Sequence, residues 1–116
     1  MGLPSPNLKD EITPADAARE HQTGRVMLVD VREHDEWRAG HAPGTVHAPL
    51  SNLHPDSIPS DAAIIAVCHS GGRSAKATQR LAATGLSVRN MSGGMSAWAD
   101  AGPPVTRDDG TPGTVG

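Results

Sequence analysis

The sequence predicts an α/β fold around a parallel sheet. Two short apolar runs, Val26–Asp30 (VMLVD) and residues 62–67 (AAIIAV), have the continuous pattern of strands buried on both faces. Segments of helical composition stand before, between and after them, and strands alternating with helices are the pattern of βαβ units. The elements follow in order. Thr13 supplies a capping side chain and Pro14 a ring already set for a first helical turn. Asp16 lies in that turn, where a carboxylate suits the helix dipole, and Gly24 closes the helix. The strand Val26–Asp30 comes next, then one or two helical turns over His34–Ala39, ended by Gly40. Residues 45–48 predict a short strand before Pro49, and residues 62–67 the second buried strand. Residues 74–83 have helical composition, with Ala77, Leu81 and Ala82 toward the core and Gly85 as terminator. Ser87–Met91 predicts a third long strand, and residues 96–101 a short helix stopped by Gly102 and Pro103. Residues 8–106 thus make one domain. Residues 1–7 and 107–116, rich in Gly, Pro, Ser, Thr and Asp without apolar periodicity, read as flexible tails.

Composition removes several function classes. The 116 residues hold no Tyr, no Phe and two Trp, so base stacking on an aromatic platform is not expected. A net charge of −3, from 10 basic and 13 acidic residues, argues against a nucleic-acid backbone binder. No apolar run approaches the roughly 20 residues that span a bilayer, so no membrane partner is expected. The first residues, MGLPSPNLKDE, lack a signal-peptide core, and Pro6 breaks the myristoylation pattern. Cys68 is the only cysteine, which excludes an internal disulfide and a thiolate cluster. A lone thiol fits a cytoplasmic setting.

Parallel sheets place ligands beyond the carboxyl ends of their strands. Here that points to the residues after Asp30 and after Val67. Val67 is followed by Cys68-His69-Ser70-Gly71-Gly72-Arg73-Ser74 and then a helix. Gly71 and Gly72 let the backbone curl with its N–H groups inward, a nest for an anion. The helix N-terminus adds donors and partial positive charge, and Arg73 adds a permanent cation at the rim. Cys68 is the group placed to be the anion, so its pKa should fall and its thiolate become a nucleophile. A buried cysteine acting as a small hydrophobe is the competing reading, and the small, polar and cationic residues that follow weigh against it.

The loop resembles the C-x-x-G-x-R-S active loop of the rhodanese (thiosulfate sulfurtransferase) family. Three further blocks resemble the same family: Leu28-Val29-Asp30-Val31-Arg32-Glu33 with Glu36-Trp37, Gly40-His41-Ala42-Pro43-Gly44 with Ala48-Pro49-Leu50, and Gly93-Gly94-Met95-Ser96-Ala97-Trp98 with Ala101-Gly102-Pro103-Pro104-Val105. The four stand in the family's order, and Ala42 and His47 are the departures. The resemblance implies a single-domain form with a five-stranded, mostly parallel sheet and helices on both faces. It implies that Cys68 takes a sulfane sulfur from a small anionic donor such as thiosulfate. Cys68 would then become a persulfide and pass the sulfur to an external thiol, cyanide or a protein acceptor. Thiolate attack expels sulfite, so no general base, cofactor or metal is called for. With no second cysteine, the acceptor must come from outside. Cysteine-based phosphatases resembling this fold place five residues between cysteine and arginine, whereas this chain places four, which favours sulfur over phosphoryl or arsenate chemistry. The remaining alternative is a non-catalytic interaction module or a sulfur-relay subunit.

Other residues carry paired readings. Asp30 and Arg32 either border the pocket and orient the loop, or form a structural ion pair. Glu33 and Glu36 read as capping residues or as partners of a nearby arginine. His69 lines the pocket or faces solvent. Ser70 and Ser74 offer hydroxyls to the thiolate or persulfide, and Ser74 is equally a helix-start residue. His34, His41, His47 and His54, spaced by seven, six and seven, match no metal-ligand pattern. Trp37 and Trp98 read as packing residues. Gly93-Gly94 is too short for a dinucleotide site.

Overall fold

In the computed structural model, which describes residues 10–59, 61 and 63–115, the two apolar runs pair with each other at the sheet's centre. Strands β2 (Val26–Asp30) and β4 (Ala63–Val67) run parallel, in register from Val26 opposite Ala63 to Asp30 opposite Val67. Strand β5 (Ser87–Met91) lies on the other side of β4. The short strands β1 (Glu11–Ile12) and β3 (Val46–His47) form the edges, giving the order β1-β5-β4-β2-β3 with every pair parallel. The sheet has five strands, as the resemblance implies. β1 was not foreseen, because two residues hold no readable period. β3 is shorter than residues 45–48, and residue 62 lies outside the described residues.

Helices cover both faces. Alternation along β4 sends Ile64, Ala66 and, one step beyond the strand, Cys68 to one face. There they pack with Ala77 and Leu81 of α3 (Gly72–Ala82). Ile65 and Val67 face the other way, against Ala17 of α1 (Pro14–Gln22) and Met95 and Trp98 of α4 (Gly94–Ala101). The helix α2 (His34–Ala39) follows β2 and stands beside the sheet's carboxyl end. Thr13 caps α1 by accepting from the Asp16 N–H at 3.2 Å. Both α3 and α4 begin two residues earlier than the sequence predicts, behind the glycine caps Gly71 and Gly93. Ala82 faces solvent, and Ser74 and Thr78 join Ala77 and Leu81 on the buried side of α3.

The described part of the expected C-terminal tail makes backbone hydrogen bonds to the domain. His41 and Thr106 exchange two backbone hydrogen bonds of 2.8 Å each. The Gly113 N–H donates to the Val105 carbonyl and that of Thr114 to the Ala39 carbonyl, each at 2.9 Å. Val115 packs on the α1–α4 core. The physical reason is close backbone approach: a Cβ on Gly40 would stand 2.6 Å from the Thr114 nitrogen, so glycine there lets residues 107–115 lie against the end of α2. The expected tail over residues 1–7 lies outside the described residues. No helix among the described residues is long and apolar enough to cross a membrane.

Candidate active site

Cys68 stands where β4 ends and the loop to α3 begins. Its side chain is 1% exposed. The chain turns sharply at Gly71, whose φ of +108° lies in the left-handed region open to glycine. That turn aims the Gly71 N–H back at the Cys68 sulfur, 3.0 Å away. Ser74, in the first turn of α3, brings its hydroxyl within 3.3 Å of the same atom. Burial pushes the Cys68 thiol up. The Ser74 hydroxyl and the N–H groups of Ser74, Gly71 and Ser70 push it down and prevail, so the thiol lies below its ordinary value.

The other side of the loop is held by α4. The Met95 N–H donates to the Cys68 carbonyl at 2.7 Å, and the Ser96 N–H to the His69 carbonyl at 2.9 Å. With those carbonyls turned to α4, the loop's own N–H groups are left for the sulfur. The approach requires glycine at 94. A Cβ there would lie 2.4 Å from the Cys68 carbonyl oxygen, and its φ is +62°.

Above the loop is an open cavity of about 560 Å³. His69, Ser70 and Arg73 form its loop wall, and Arg32, Asp35, Glu36 and Ala39 the wall toward α2. Arg73 sits at the rim, but its guanidinium does not point freely into the cavity. It donates to both Glu36 carboxylate oxygens, at 2.6 and 2.7 Å. The Arg73 hydrogen bonds, helped by the Glu33 N–H, hold Glu36 down to about 2, and Glu36 in turn raises Arg73. Glu36 thus takes both roles the sequence allowed, partner of an arginine and acceptor for the Glu33 N–H that opens α2. Ser70 and Gly72 are exposed, and His69 is half-buried.

Asp30 and Arg32 are brought to each other rather than to the sulfur. Arg32 is 1% exposed and Asp30 is fully buried. Arg32 donates through Nε and Nη2 to the Asp30 carboxylate at 2.8–3.0 Å, and through Nη2 to the Gly40 carbonyl at 2.7 Å. They form the structural ion pair, while Arg32 also contributes to the cavity wall. Among the histidines, His41 and His47 each stack on Trp37, with centroids 3.6 and 4.6 Å away. The His41 Nδ1 meets the Trp37 carbonyl at 2.8 Å. The Trp98 indole N–H donates to the Pro104 carbonyl at 3.0 Å.

Two residues at the site escaped the sequence reading. Gly94 acts by letting α4 reach the loop, and its signal was the glycine pair ahead of a helix. Asn90, on β5, is a buried polar residue against the loop, and nothing in a five-residue strand pattern marks it.

Comparison with known proteins agrees with this architecture. A family model described as "Rhodanese-like domain" matches residues 13–101. An HTH-type transcriptional regulator of Mycobacterium tuberculosis is 35% identical over 108 residues, covering 90% of this chain and 47% of its own. The chain spans about half the length of that regulator and of a further curated relative. A sulfurtransferase of Allochromatium vinosum is 35% identical over 91 residues, covering 76% of this chain and 85% of its own. The crystal structure of a rhodanese-related protein from Thermoplasma volcanium superposes with a TM-score of 0.78 at 28% identity, covering 83% of this chain and 96% of that one. A lone cysteine at a strand end, a glycine turn aimed at its sulfur and a family match over most of the chain lead to one conclusion: the chain belongs to the rhodanese-like domain family.

Proposed function

We propose that the protein is a sulfurtransferase working through a persulfide on Cys68. The observation that carries this reading is the sulfur's environment. It is buried, yet its thiol is pushed below the ordinary value by the Ser74 hydroxyl and by loop N–H groups. The thiolate attacks the outer sulfur of a donor such as thiosulfate. An S–S bond forms, the bond to the sulfite group breaks, and sulfite leaves with that electron pair. The new terminal sulfur is anionic, and the nest of N–H groups that stabilised the thiolate can stabilise it too. A thiol, cyanide or a protein nucleophile then attacks the terminal sulfur and regenerates the Cys68 thiolate. His69 and Ser70 line the donor's approach. Arg73, on exchanging Glu36 for the donor's oxygens, would clamp an anion. Asp30 and Arg32 support the carboxyl end of the sheet. Four residues between Cys68 and Arg73 make a small cradle, suited to a sulfur atom rather than to a tetrahedral phosphate.

The test is intact mass after incubation of the reduced protein with thiosulfate. A gain of about 32 Da, removed by cyanide and absent in Cys68→Ala, is the expected result. No gain with any sulfane donor, in folded protein with a free thiol, defeats it. A second reading, a binding or sulfur-relay module, draws on the match to about half of a longer transcriptional regulator. In a relay the persulfide forms but is not released to small acceptors, and in a binding module it does not form, so sulfur loading and turnover with cyanide separate these readings from the first.

A further inference from the structure

A buried amide behind the loop joins the edge of the sheet to the nucleophile. Asn90 is 5% exposed. Its amide nitrogen donates to the Glu11 carboxylate at 2.8 Å and to the Gly71 carbonyl at 3.2 Å. Its amide oxygen accepts from the Ser74 hydroxyl at 2.5 Å. A carboxylate and a carbonyl only accept, so the nitrogen must face them and the oxygen must face Ser74. Glu11 is itself steadied by the Ser92 hydroxyl at 3.1 Å. Gly71 and Ser74, the two residues Asn90 holds, both bond the Cys68 sulfur.

We propose that Asn90, anchored by Glu11, is a positioning residue for Cys68. It fixes the Gly71 peptide and the Ser74 side chain so that both stay aimed at the sulfur. The Ser74 hydroxyl has one hydrogen and three acceptors around it: the Asn90 oxygen, the Gly71 carbonyl and the Cys68 sulfur. When the sulfur becomes an anion, it draws the hydrogen to itself. Asn90 stays in place through Glu11 and Gly71. The charged groups around this chain include Glu11 on β1 and its neighbour Asp10 behind it, and Arg73 on α3, paired to Glu36 of α2, with His69 next in sequence to the cysteine.

Two opposing effects of Glu11 make the test sharp. By charge alone, removing its carboxylate would ease ionisation of Cys68. As an anchor, losing it loosens Asn90 and hinders ionisation. The kinetic consequence rests on the persulfide reading, but the thiolate titration does not. The thiolate absorbance near 240 nm is followed against pH in wild type, Asn90→Leu, Glu11→Ala and Glu11→Gln. Asn90→Leu is expected to raise the Cys68 titration by about one unit, near the worth of one charge-assisted hydrogen bond. Glu11→Ala is expected to move it in the same direction, and Glu11→Gln, which keeps an acceptor for the amide, not to raise it. Sulfur loading by Asn90→Leu should be about tenfold slower at a pH below both titrations, in step with the thiolate fraction, and recover above them. A folded Asn90→Leu that titrates with wild type overturns the proposal, as does a Glu11→Ala that titrates lower. If Asn90→Leu does not fold, Glu11→Ala decides. If no variant takes up sulfur but the titrations move as stated, the persulfide reading fails and the positioning role stands.

Discussion

At the scale of single residues, the site depends on hydrogen bonds to one sulfur atom. Ser74 is a buried hydroxyl at a helix start, and losing it removes the strongest side-chain contribution to a lowered thiol. Ser74→Ala should raise the Cys68 titration by about one unit, read from the thiolate absorbance. Glu36 acts on the rim. While it holds Arg73, the cavity presents a neutralised cation to an anionic donor. Glu36→Gln should therefore lower KM for thiosulfate several-fold with little change in kcat, as steady-state thiocyanate formation would show. The pair also has a pH signature. Glu36 is depressed to about 2, so the pair's contribution is complete above the ordinary carboxylate value near 4.5 and is lost as pH falls toward 2. Acid unfolding of Glu36→Gln should lack that portion of the slope.

At the scale of elements, α4 builds the site as much as the loop does. The N–H groups of Met95 and Ser96, in its first turn, take the carbonyls of Cys68 and His69, and Gly94 makes the approach possible. Gly94→Ala would set a Cβ against backbone that cannot yield, at a φ costing about 1–3 kcal/mol for a non-glycine residue. We expect a lower melting temperature together with loss of sulfur loading. A variant that melts lower but loads normally would show that the loop holds its shape without α4. The elements themselves were legible to different degrees. Val26–Asp30 and Ser87–Met91 were read with the observed ends: the first is a continuous apolar run, and each follows a glycine, Gly24 or Gly85, that closes the helix before it. The starts of α3 and α4 were read two residues late. Their caps are glycines at positive φ, with no side-chain oxygen to announce a helix.

At the scale of the whole molecule, a chain without Phe or Tyr closes its core with aliphatic residues, Met and Trp98 on two faces of one sheet. The buried Asp30–Arg32 pair ties β2 to the end of α2 through the Gly40 carbonyl. Breaking it leaves an uncompensated charge inside. Arg32→Met should cost about 3–5 kcal/mol, measured by denaturant unfolding. A smaller cost would mean that water reaches Asp30 through the cavity.

The sequence by itself determined the α/β class, the long strands, and the loop that follows Val67. These rest on local periodicity, turn residues and one contiguous run of chemistry-bearing side chains. It left Asp30 and Arg32 with two open readings and Asn90 and β1 unread, and it read residues 107–116 as a tail. Tertiary structure decided those. Asn90 depends on Glu11 and Gly71, β1 on β5 and Thr114 on Ala39, all far along the chain, while Arg32 meets Asp30 two residues away and is settled by the burial of both and by the Gly40 carbonyl. Hydrogen-bond partners distant in sequence leave no period for a pattern to show.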